Sequence, residues 1–180
     1  MRRIKLWDKE FEISLPYADI QLVIKEMARK MKHDLEGKET LFICILNGAF
    51  MFASELMKEL ELTDAEISFL KLASYSGTSS TGTLKELIGL NEEIAGRTVV
   101  VLEDIVDTGH TMIGVKEQLI HKGAKEVKIA TLLFKPDALK VIIDLDYVGI
   151  VIPNEFIVGF GLDYDRRGRN FKDIYTLVKE

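Results

Sequence analysis

Three short runs in this chain, residues 41–46, 98–102 and 127–134, are apolar or β-branched at nearly every position. Strict alternation would mark a strand with one wet face. Unbroken runs of this length instead need cover on both faces, the state of strands in a parallel sheet with helices on either side. The intervening segments have the helical period. Over residues 16–36, Ile20, Val23, Ile24, Met27, Met31 and Leu35 fall on one face; Ser14 is placed to cap the start, Pro16 suits a first turn, and Gly37 supplies the stop. Asn47-Gly48 ends the first apolar run, and Phe50–Leu60 reads as a helix. Residues 111–122 form a third helical pattern with Met112, Val115 and Leu119 inward and Gly123 after the last turn. Residues 66–73 and 147–152 read as further strands. This alternation predicts an α/β protein, a mostly parallel twisted sheet flanked by helices.

The 180 residues suit a single domain, or one with a small appended lobe, with a real core, and the Gly- and Arg-rich last 25 residues read as irregular chain that caps the sheet's edge. Lys and Arg number 24 against 29 Asp and Glu, a net charge of −5 that argues against a broad nucleic-acid surface while leaving room for a local basic site. No stretch approaches the roughly 18 consecutive apolar residues of a membrane span. The basic amino terminus, Met1 to Glu10, is followed by no apolar region of the secretory type, so a reduced, cytoplasmic setting is expected, with no membrane partner. The single cysteine, Cys44, lies inside an apolar run; it excludes an intrachain disulfide or a cysteine zinc cluster and reads as core.

Several familiar patterns fail on inspection. Gly77 and Gly82 have P-loop spacing, but Thr83-Leu84 follows where a Lys must reach the phosphates. Gly159-Phe160-Gly161 continues to Tyr164 where a dinucleotide fingerprint needs a third glycine, and Asp163-Tyr164-Asp165 lacks calcium-loop spacing. His33 and His121 fit solvated helix faces.

The segment from Val99 to Thr111 is different in kind. An apolar strand ends at Glu103-Asp104, and Ile105-Val106-Asp107-Thr108-Gly109-His110-Thr111 then turns into a helix. In an open α/β sheet, ligands bind at the carboxyl ends of the strands. The amides of Thr108, Gly109, His110 and Thr111 at a helix amino terminus can hold a phosphate, with the Thr hydroxyls as extra donors. Glu103 and Asp104 would repel that phosphate directly, but make sense one sugar away, accepting from vicinal ribose hydroxyls. Asp107 then faces whatever the sugar carries. An acidic surface turn capping a helix would account for Asp107 and Thr108, but not for three acids at the end of a buried strand. Phosphate, diol and base in sequence describe a ribose-5-phosphate site.

This segment resembles the 5-phosphoribosyl-1-diphosphate (PRPP) signature of type I phosphoribosyltransferases, and Glu-Asp-Ile-Val-Asp-Thr-Gly-His-Thr is similar to the form found in hypoxanthine–guanine phosphoribosyltransferases. Further landmarks follow in the family's order from about residue 40 to residue 170. Leu46-Asn47-Gly48 resembles the loop that contacts pyrophosphate, in which the Leu46–Asn47 peptide is often cis; many relatives carry a basic residue where Asn47 stands. Ser74-Tyr75, heading a Ser/Thr/Gly run to Thr83, resembles the flexible loop that closes over PRPP; composition alone also allows a solvated linker. Lys135 matches the lysine that donates to the purine 6-oxygen. Residues 154–164 are similar to the purine hood, which implies that Phe156 stacks on the base, the Ile157 backbone reads its edge, and Asp163 holds magnesium; Arg169 matches an arginine on pyrophosphate.

The resemblance thus implies one phosphoribosyltransferase domain over 1–180, with 150–175 contributing a hood over the purine site. The implied reaction joins hypoxanthine or guanine to PRPP, giving the nucleoside monophosphate and pyrophosphate. Mg²⁺ is the implied cofactor, on Glu103, Asp104 and Asp163. Asp107 is the implied general base, and a homodimer or homotetramer is expected from relatives. A xanthine-preferring enzyme of the same family is the nearest alternative. A PRPP-signature RNA-binding regulator is a more distant one, for which a basic face and loss of the Lys135, Phe156 and Asp163 set would be expected.

Overall fold

The computed structural model describes residues 2–73 and 85–179. Its main sheet has six strands in the order β5-β4-β3-β6-β7-β8. These are β3 (Thr40–Leu46), β4 (Ala65–Ala73), β5 (Lys85–Ile88), β6 (Thr98–Val106), β7 (Glu126–Phe134) and β8 (Tyr147–Val151). All neighbours are parallel except β4 and β5, which are antiparallel. Helices α1 (Tyr17–Leu35) and α2 (Phe50–Leu60) pack on one face, where Ile24, Met31, Phe52 and Leu56 meet Phe42, Val100 and Leu132. Helix α3 (His110–His121) covers the other, bringing Met112, Val115 and Leu119 onto Ile43, Val101 and Ile129. The central strands are therefore buried on both sides, as their unbroken apolar runs require.

Strand β6 runs four residues beyond the expected end at 102. Glu103 and Asp104 interrupt the apolar run, yet the backbone ladder continues through Glu103↔Thr131, Ile105↔Leu133 and Val106↔Phe134. Main-chain pairing is indifferent to the polarity of the side chain it carries. The expected cap of α1 is also corrected. Ser14 donates to the Ile174 carbonyl instead, and the first-turn amide of Tyr17 is taken by the carboxylate of Asp173 at 2.9 Å. A distant acid does the work that local sequence assigns to a serine.

A second sheet, four strands in the order β1-β2-β10-β9, lies at the other end of the chain's path. It joins β1 (Arg3–Leu6) and β2 (Lys9–Leu15) from the amino terminus to β9 (Ile157–Val158) and β10 (Ile174–Leu177). Its core is Leu6, Phe11, Val158 and Tyr175. Half of it comes from a hairpin that the sequence reading leaves unassigned, and β9 and β10 lie where that reading expects irregular chain. No helix among the described residues is long and apolar enough to cross a membrane.

Candidate active site

The carboxyl end of β6 is the centre of the site. Glu103 and Asp104 are both nearly sealed from solvent. The Asp104 amide donates to Glu103 Oε1 at 3.2 Å, and the Ile105 amide donates to Asp104 Oδ1 at 2.8 Å. Burial pushes the Glu103 carboxyl well above the usual range, and the charge of Asp104 pushes it further. Burial also raises Asp104, against which the Arg169 guanidinium works in the opposite sense. Beyond β6, a cleft of about 140 Å³ is lined by Glu103, Asp107, Thr108, Gly109 and Thr111. Asp107 and Thr111 are exposed there, His110 is exposed beside them in the chain, and α3 begins directly after Gly109. Glu103 and Asp107 thus share one cleft with Thr108, Gly109 and Thr111 of the turn that follows.

The loop after β3 closes onto the same acids. The Leu46–Asn47 peptide is cis. Gly48 passes so close to Asp104 that a Cβ there would lie 1.6 Å from its Oδ2. Gly161, from the carboxyl-terminal segment, passes as close on the other side: with φ at 98°, its Cβ would lie 2.0 Å from the Gly48 carbonyl oxygen. Only glycine satisfies both the approach and the dihedral at 161. Arg169 fixes this stack, donating from Nη1 to the Gly161 carbonyl at 2.6 Å and pairing through Nη2 with Asp163 at 2.5 Å. Gly161 was read as part of a failed motif, and its role as a spacer carries no local sequence signal.

The residues expected on the base side come from the end of β7 and from the carboxyl-terminal segment. The Lys135 amide donates to the Val106 carbonyl at 3.0 Å, tying it to the end of β6. Its buried ammonium donates to the Glu155 carbonyl at 2.6 Å, beside Phe156. Phe156 is 46% exposed. Its ring contacts are Phe11, with centroids 6.2 Å apart, and the edge of Tyr164 at 5.8 Å. Ile157 opens β9 and is buried. Ser74 and Tyr75 lie outside the described residues.

Glu103, Asp104 and Asp163 are the acids expected to bind metal. Among the described residues no group of three His, Cys, Asp or Glu side chains is placed to hold an ion. Asp163 is engaged by Arg169 and by the Arg166 amide at 2.6 Å. The carboxylates of adjacent Glu103 and Asp104, and that of Asp163, are hard oxygen donors. They fit magnesium, which keeps several waters and is commonly held by one or two carboxylates plus substrate phosphates.

Fold and site together are those of a phosphoribosyltransferase. A model of the phosphoribosyl transferase domain matches residues 16–165, and the chain belongs to that family. It is 42% identical over 163 residues to a hypoxanthine-guanine phosphoribosyltransferase of Streptococcus thermophilus, covering 90% of each chain. A namesake from Streptococcus agalactiae is 43% identical over the same length, again with 90% of each chain covered. Among solved structures, a hypoxanthine phosphoribosyltransferase from Staphylococcus aureus superimposes with a TM-score of 0.88 at 38% identity, covering 93% of this chain and 91% of that one. The main sheet with its flanking helices is the type I phosphoribosyltransferase fold.

Proposed function

We infer that the chain is a purine-salvage enzyme, transferring the 5-phosphoribosyl group of PRPP to N9 of hypoxanthine or guanine and releasing pyrophosphate. The relatives' activities support this reading. The observation that carries it to this chain is Lys135, whose amide is tied to the end of β6 near Glu103, Asp104 and Asp107 and whose ammonium reaches the Glu155 carbonyl next to half-exposed Phe156.

The bond between ribose C1 and the pyrophosphate oxygen breaks, the bond from C1 to purine N9 forms, and the purine loses a proton. Positive charge develops on the ribose ring in between. Asp107 at the mouth of the cleft accepts the proton from purine N7, a role worth typically about 10²–10⁴-fold. Glu103 and Asp104 orient the ribose hydroxyls; the amides of Thr108 to Thr111 hold the 5-phosphate. Asn47, Gly48 and Arg169 face the pyrophosphate. Ser74 and Tyr75 belong to the covering loop that excludes water from the cation-like sugar. Glu103, Asp104 and Asp163 would hold magnesium, which when bound would offset negative charge on the leaving group. Asp163 also pairs with Arg169.

Lys135 selects a 6-oxo purine, because an ammonium can only donate and adenine presents an amino donor at that position. Phe156 stacks on the base and the Ile157 backbone reads its edge. The active form is a homodimer or homotetramer working in the cytoplasm without a nucleic-acid partner, in keeping with the net charge of −5. Mixing the protein with PRPP, Mg²⁺ and hypoxanthine or guanine should release one pyrophosphate per nucleoside monophosphate formed, and chelation should stop it. Pyrophosphate release independent of added base, or none at all, would overturn the reading.

A further inference from the structure

The tips of two hairpins meet beside the purine subsite. One is the two-residue turn Trp7-Asp8 between β1 and β2, whose flanking pair is Leu6↔Lys9. The other is the turn Asp165-Arg166, closed by reciprocal backbone bonds between Tyr164 and Arg167 at 2.9 and 3.1 Å. Both Asp165 and Arg166 have positive φ, 46° and 66°, the geometry of a tight primed turn.

Three contacts join the tips. The Tyr164 hydroxyl donates to Asp8 Oδ1 at 2.9 Å. The Arg167 guanidinium lies 3.6 Å from the centre of the Trp7 ring, and Lys9 lies over the Tyr164 ring at 5.6 Å. The chain pays for two strained turns in order to bring these groups together. What the clasp touches is informative. Tyr164 meets Phe156 edge-on, and Phe11 of β2 packs against both rings. Tyr164 also follows Asp163, the partner of Arg169.

We propose that the β1–β2 hairpin tip is a positioning device for the purine subsite. Asp8 and Trp7 hold the Tyr164–Arg167 turn, and Tyr164 in turn sets the plane of the Phe156 ring. Asp8, Trp7, Tyr164 and Arg167 touch no reacting atom; they act through Phe156. The inference rests on Phe156 being the base-stacking residue. Because the clasp lies on the base side, its loss is felt in base binding rather than in the chemical step or in PRPP binding.

The test uses the full chain and steady-state kinetics with hypoxanthine and PRPP varied in turn. Asp8→Ala and Tyr164→Phe each raise KM for hypoxanthine threefold or more, with kcat and KM for PRPP within twofold. Their double variant is no worse than the more affected single one. Asp8→Asn, which keeps an acceptor, restores KM towards wild type. Trp7 is the sole tryptophan, so its emission should also change saturably as GMP is titrated. A general structural role would instead lower kcat and raise both KM values together, which overturns the proposal. So would unchanged KM for hypoxanthine in folded Asp8→Ala and Tyr164→Phe. If Phe156→Ala raises that KM while these two do not, the positioning role alone fails. If wild type makes no nucleotide, the proposed function fails and takes the positioning role with it.

Discussion

At the scale of single residues, the site is controlled by what is missing from side chains as much as by what is present. Gly48 and Gly161 let two backbone segments pass within contact of Asp104 and of each other, and the two should respond differently to alanine. At 48 the new Cβ meets the end of a side chain, so Gly48→Ala folds but displaces the Asp104 carboxylate. Its kcat/KM for PRPP is expected to fall at least tenfold with little change in Tm. At 161 the new Cβ meets a backbone carbonyl at a left-handed dihedral, so Gly161→Ala should lose about 1–3 kcal/mol of stability as well. Denaturant melts run beside the kinetics check both; an inert Gly48→Ala would remove Asp104 from the PRPP site. Asp107→Asn, which keeps the shape and removes the base, should lower kcat at least tenfold while PRPP still binds in an equilibrium assay. Unchanged turnover would remove Asp107 as the base.

At the scale of elements, the carboxyl-terminal segment holds the beginning of the chain in place. Asp173 receives the Tyr17 amide at 2.9 Å, and also faces Arg2 and the Tyr175 hydroxyl, each at 3.4 Å. One buried carboxylate therefore starts α1 and ties it to β10. Asp173→Ala leaves buried donors without a partner and should cost about 1–3 kcal/mol in urea unfolding; a loss below about 0.5 kcal/mol, the scale of an ordinary surface change, would contradict that role. The α1 case also shows why part of the architecture escapes sequence reading. Nothing local distinguishes Ser14, which only looks like a cap, from a partner 156 positions away. The hairpin Arg3–Leu15 escapes for a related reason. Ile4 and Leu6, then Phe11, Ile13 and Leu15, do alternate with polar residues, but Trp7-Asp8 is not one of the usual two-residue hairpin turns, and the apolar face is completed only against β9 and β10.

At the scale of the molecule, the parallel sheet was legible because burial on both faces leaves a mark on every residue of a strand. Residues 41–46 show this directly, and 127–134 with the exception of Lys128. The PRPP signature was legible because ribose, phosphate and proton chemistry fall within one contiguous turn, Glu103 to Thr111. The base side was readable only through family resemblance. Lys135, Phe156 and Arg169 come from separate segments, and each is unremarkable alone. The pairing of Asp163 with Arg169 escapes for a similar reason: the two are six positions apart in a segment with no regular period.

Global stability should also carry one alkaline signature. Tyr147 is buried and donates to Asp34 Oδ2 at 3.2 Å; burial first, and then that carboxylate, push its phenol above the ordinary value. The unfolded phenol ionises near pH 10 while the folded one holds its proton, so stability is complete below that pH and falls as pH rises past it. The advantage of wild type over Tyr147→Phe should shrink between pH 8 and pH 11 in chemical denaturation. A constant difference would contradict the assignment.

The central claim is that a 6-oxo purine accepts the phosphoribosyl group at the end of β6, selected by Lys135. A spectrophotometric comparison of kcat/KM for hypoxanthine, guanine, xanthine and adenine with saturating PRPP tests it most directly. Hypoxanthine or guanine should exceed adenine by at least about 100-fold, the scale on which a mismatched buried donor discriminates. Adenine used as well as hypoxanthine would contradict the account.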